Sequence, residues 1–132
     1  MYDVKVYDAA AEGQRNITEH FKVREFQCSD GSRPVFISQT LADLLEAIRQ
    51  RIGRPLRISS GYRTVSYNAT VPGSSKTSKH CMGLAADIRA DGIEPRQLYN
   101  IACELLGDHG GVGLYSWGVH VDVRAEKSRW NG

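Results

Sequence analysis

GVHVDVR, residues 118–124, alternates without a break: Val119, Val121 and Val123 fall on one side, His120, Asp122 and Arg124 on the other. A period of two in β-branched residues predicts a strand with one face in a core. The opposite face is the unusual one, because a buried strand face rarely carries three ionisable groups unless they pair or bind something. GVGLY, residues 111–115, lies close enough upstream to form a hairpin with it. Further upstream, GLAADIRA, residues 83–90, sets Leu84, Ala86 and Ile88 against Ala85, Asp87 and Arg89, so a strand there projects Asp87 away from the apolar face. If the Asp87 and His120 strands lie side by side, their polar sides meet, and His80 in the preceding loop folds over both. Two imidazoles and one carboxylate leave a fourth position for water, the composition of a catalytic zinc site. Such a metal acts as a Lewis acid and a source of hydroxide.

Around these strands the periodicity changes. In SQTLADLLEAIRQRIG, residues 38–53, Leu41, Leu44, Leu45, Ile48 and Ile52 form one helical stripe, with Ser38 as its cap and Gly53 as its stop. EPRQLYNIACELLG, residues 94–107, predicts a second helix, with Pro95 in the first turn, Leu98, Ile101, Ala102 and Leu105 inward, and Gly107 at the end. PLRISSGYR, residues 55–63, is a short strand running into a turn, and TVPGSSKTSK, residues 70–79, has the composition of an exposed loop. The expected fold is α+β, a small central antiparallel sheet with flanking helices.

Composition narrows the functional classes. The chain has 132 residues, the size of one domain with its own core, and no repeat or linker divides it. Residues 1–17 read as a looser N-terminal extension. Seventeen Lys and Arg against 15 Asp and Glu give a net charge of only +2, which argues against a nucleic-acid partner. Cys28, Cys81 and Cys103 make an odd, widely spaced set, expected as free thiols with Cys103 buried on a helix. The charged N-terminus carries no signal-peptide run and no stretch reaches membrane-spanning length, so a soluble protein is expected.

SKHCMGLAAD, residues 78–87, fits the pattern SxHxxGxAxD, and GVHVD and ISSGYR stand in the matching order around it. Together they resemble the zinc D-Ala-D-Ala carboxypeptidase and L-Ala-D-Glu endopeptidase superfamily, which shares its fold with the Hedgehog signalling domain. HFKVREFQC, GGVGLY and the closing HVDVR with RW are similar to its compact branch in phage lysins and bacterial murein hydrolases; the resemblance spans roughly residues 18 to 130. It implies a single catalytic Zn2+ on His80, Asp87 and His120. It also implies hydrolysis of peptidoglycan stem-peptide amide bonds at the bacterial cell wall, by carboxypeptidase or endopeptidase action. Arg63 would hold a substrate carboxylate or the oxyanion, against the alternative of a surface ion pair. Ser78 would bind substrate or simply turn the loop, Gly83 would let the backbone pass the metal or serve as an ordinary turn glycine, and Tyr115 would line the pocket or pack.

The better-known members place a glutamate or histidine shortly before the last ligand, where this chain reads YSWG, residues 115–118. Asp122 is the replacement candidate for general base. Its alternatives are a salt bridge to Arg124 or support of His120. His109 is a weaker candidate. Cys81 is expected to point away from the ligands, and Trp117 and Trp130 to serve packing rather than a groove. A zinc-retaining cell-wall or protein binding module without peptidase activity is the competing reading, and the missing glutamate is its support.

Overall fold

Alternation alone leaves open which strand neighbours which, and the computed structural model, which describes residues 2–132, answers it. The order is β1 (Val4–Asp8), α1 (Ala9–Glu12), a 3-10 turn (Val23–Phe26), β2 (Pro34–Ser38), α2 (Gln39–Ile52), β3 (Arg57–Ser60) and α3 (Val65–Asn68). A second 3-10 turn (Lys79–Met82), β4 (Ala85–Arg89), α4 (Pro95–Leu106), β5 (Gly111–Tyr115), β6 (Gly118–Asp122) and β7 (Ser128–Asn131) follow. The main sheet runs β3-β4-β6-β5-β7, while β1 and β2 form a separate antiparallel ribbon. β4 and β5 both pair antiparallel with β6, but β7 joins β5 in parallel, so the sheet is antiparallel except at that edge. The α+β class stands.

The caps act where the sequence placed them. Ser38 Oγ accepts from the Leu41 amide at the start of α2, and Gly53 closes the helix in the left-handed region at φ 67°. Leu41, Leu44, Leu45 and Ile48 face the core from α2, and Leu98 and Ala102 from α4. Leu105 does not join them: it is exposed, and Leu106 packs on the core in its place. The inner face of the sheet contributes Ala86, Ile88, Val112, Val119 and Val121, all essentially inaccessible to solvent. That layer fixes which way the alternate residues face.

Two expectations need correction. The first 17 residues are not loose throughout: Val4 to Asp8 pair along β2, from Val4 opposite Ser38 to Asp8 opposite Pro34, and Tyr7 is buried. Gly83, at φ 74°, makes room for β2 rather than for a metal, since a Cβ there would lie 2.6 Å from the Phe36 carbonyl oxygen.

Candidate metal centre

Register brings the ligand candidates together. Asp87 sits directly opposite His120 in the β4–β6 pair, so both side chains leave the sheet on the same face. His80 arrives from the second 3-10 turn, whose first residues are capped by Ser78 Oγ accepting from the His80 amide at 3.2 Å. His80 Nδ1 donates to the Gly61 carbonyl at 2.8 Å, which leaves Nε2 as the free nitrogen, 3.2 Å from Asp87 Oδ1. His120 is held the opposite way round: Nε2 contacts Asp122 Oδ2 at 2.8 Å and Nδ1 lies 3.1 Å from the same Asp87 oxygen.

One ligating atom from each of His80, Asp87 and His120 therefore falls within 4.8 Å of the other two. Each imidazole is oriented by an acceptor on its far nitrogen, as metal-binding histidines are, and the donor set of two nitrogens and one carboxylate suits zinc. The residues fit the ion. A second group, Glu19, His20 and Glu46, meets the same distance limit, but Glu46 is already occupied by Thr18, the His20 backbone and Gln50.

Electrostatics favours a charged site. Burial pushes the Asp87 carboxyl up, yet hydrogen bonds from His120 and His80 and the imidazole charges outweigh it and hold the pKa below the ordinary carboxylate value. For His120, burial works against the imidazolium, and Asp122 and Asp87 overcome it, so its pKa is raised. Arg63 completes the group: Nη2 lies 3.3 Å from Asp87 Oδ2, Nε donates to Ser60 Oγ and Nη1 to Asn68 Oδ1. With three acceptors around a guanidinium that is 11% exposed, it is a fixed cation in the site and not a surface ion pair.

Above these residues opens a cleft of about 660 Å³. Arg63, Ser78, His80, Asp87, Tyr115 and His120 all line it. Asp122 does not. It is wholly buried and accepts from the Gly111 amide, from the Arg124 amide and guanidinium, and from His120, so its carboxylate braces rather than faces the cleft. Asp87 is the sole carboxylate among the lining residues. His109 is exposed and outside the lining.

Cys81 stands apart from the ligand group, with Sγ 3.9 Å from the Thr64 carbonyl. Because it sits on a 3-10 turn, strand alternation is not what sets its direction. All three thiols are free; Cys28 is buried, but Cys103 is only partly so.

The tryptophans do more than pack. Both line the cleft: Trp117 is 44% exposed and stacks on Tyr115, while the Trp130 ring centre lies 5.3 Å from that of His120. A signal was present in GVG, residues 111–113. Gly111 leaves space for the Asp122 carboxylate and Arg124, and a Cβ at Gly113 would collide with the Trp130 indole.

A His-Asp-His group, buried at His80 and Asp87 and half-buried at His120, beside a fixed guanidinium in an open cleft is the kind of site that suits a metal-dependent hydrolase. The chain matches a family model described as Peptidase M15 over residues 19–122, and it belongs to that family, within the zinc D-Ala-D-Ala carboxypeptidase superfamily. The matched span includes Arg63, His80, Asp87 and His120 and ends at Asp122. No curated protein matches the chain.

Proposed function

We propose that this M15 peptidase is a zinc-dependent hydrolase of amide bonds in peptidoglycan stem peptides. The observation that carries the reading is the convergence of His80, Asp87 and His120 beneath an open cleft that also holds Arg63. His80, Asp87 and His120 would hold the zinc, which would supply Lewis acidity and lower the pKa of a water at the site. The chain's own residues supply the rest. Gly61 and Asp122 hold the two imidazoles in their ligating orientations. Arg63 stays charged and positioned, ready to take a stem-peptide carboxylate or the developing oxyanion. The Ser78 hydroxyl, which caps the ligand-bearing turn, borders the same cleft and can still donate its hydrogen to substrate. The cell wall is the proposed site of action.

The binding-module alternative keeps one supporting observation, the absence of a second carboxylate from the lining. Digestion of purified peptidoglycan by the zinc-loaded protein, with and without chelator, separates the two readings. Cleaved stem peptides, identified by mass spectrometry and lost on chelation, are expected. Stoichiometric zinc with an intact polymer would establish the binding module instead.

A further inference from the structure

The hydroxyl of Tyr115 has one of its bonds decided by chemistry. Trp130 Nε1 lies 2.9 Å from it, and an indole N–H can only donate, so the tyrosine oxygen is the acceptor. The phenolic hydrogen must point elsewhere, and among the described residues no protein acceptor receives it. Tyr115 is two residues along β5 from Gly113, which pairs with His120, so Tyr115 and His120 share a face of the sheet. Both line the cleft. The ring is also fixed: Trp117 stacks on it with centroids 4.8 Å apart, and the Gly132 backbone packs so closely that a Cβ there would strike the ring. Gly132 is itself tied to β5 by its amide donating to the Leu114 carbonyl at 2.8 Å.

We propose that the Tyr115 hydroxyl donates a hydrogen bond to the scissile carbonyl oxygen as it becomes an oxyanion, with Trp130 as the positioning residue that turns the hydroxyl hydrogen into the cleft. The role rests on the peptidase reading above. A preset donor gains most when charge develops on its acceptor, because its orientation is settled before the reaction. Arg63 approaches the same cleft from the β3 side and Tyr115 from β5, so the substrate oxygen is held between a cation and a neutral donor.

The test uses Tyr115→Phe and Trp130→Phe in the full chain, with a stem-peptide substrate. Tyr115→Phe is expected to lower kcat by about 100-fold with little change in KM or zinc content. Trp130→Phe should give a smaller kcat loss, since the hydroxyl remains but its hydrogen is no longer directed. In the metal-free protein, the Trp130 indole N–H should exchange with solvent faster in Tyr115→Phe than in wild type, a readout independent of activity. Unchanged kcat in Tyr115→Phe beside an active wild type overturns the donor role alone. A loss confined to KM does the same. Inert wild type overturns the peptidase reading and the donor role with it, and indole exchange unaltered by the substitution removes the positioning by Trp130.

Discussion

At the scale of single residues, Asp122 shows how far strand alternation reaches. It correctly put Asp122 on the His120 face, but it carries no information about which side chain closes over which. Arg124 reaches back with Nε at 2.8 Å and Nη2 at 2.7 Å, and Gly111, having no side chain, lets its amide approach the same carboxylate. Burial pushes Asp122 up, while Arg124 and His120 outweigh that and keep it below the usual carboxylate range, so it holds the charge needed to orient His120. Asp122→Asn should therefore weaken zinc binding by about 10- to 100-fold. At saturating zinc the pH dependence of turnover should keep its wild-type shape, measured by metal titration and a pH–rate series on the same variant. A rate abolished at full zinc occupancy would restore Asp122 as the base. The convergence of the candidate ligands is legible in the sequence because His80, Asp87 and His120 stand out against small or apolar neighbours. The bracing interactions were not, since they join residues through an arginine whose direction no spacing encodes.

Among the secondary elements, β5 carries the most function per residue. Gly111, Val112 and Gly113 are all buried, yet only Val112 supplies a side chain to the core; the two glycines vacate the other face for Asp122–Arg124 and for Trp130. Gly113→Ala should push the indole off its seat, break its hydrogen bond to Tyr115 and cost stability of about 1–3 kcal/mol from overpacking. The expected signature is a lower melting temperature together with a shifted indole fluorescence spectrum; an unchanged pair would show that Trp130 does not need the gap. Long elements with a clear period, α2 and α4, could be read from sequence, apart from Leu105, which lies two turns along the stripe from Leu98 in the last turn of α4 and is exposed there while Leu106 packs on the core. Short ones escaped. In β1 the pattern misleads because Val6 is 59% exposed while Tyr7 points inward, and in β7 four residues without alternation pair in parallel with a strand distant in sequence.

For the molecule as a whole, one carboxylate outside the cleft ties the segment before the core aromatics to the longest helix. Glu46 of α2 accepts from Thr18 Oγ1 at 2.7 Å and the His20 amide at 2.8 Å, meets His20 Nδ1 at 2.6 Å, and is held from its own helix by Gln50. Directly after this clamp, Phe21 and Val23 enter the core. Burial raises the Glu46 pKa, but the hydrogen bonds from His20, Thr18 and Gln50 prevail and bring it from an ordinary 4.5 down to about 2. Because the folded value is the depressed one, the unfolded chain takes up the proton first as pH falls. The clamp's contribution is then complete above about pH 4.5 and is lost progressively toward pH 2. Asp87 and Asp122 are depressed as well and act in the same direction, so wild-type stability should fall steeply on acidification. Glu46→Gln isolates one share of that slope: it should melt at a lower temperature than wild type at pH 7 and lose less on going from pH 5 to pH 2.5. Thermal unfolding followed by far-ultraviolet circular dichroism across that range measures both quantities. Parallel wild-type and variant curves would show that Glu46 is as free to take up a proton in the folded protein as in the unfolded chain, and that Phe21, Val23 and the β1–β2 pairing hold the N-terminal segment without it.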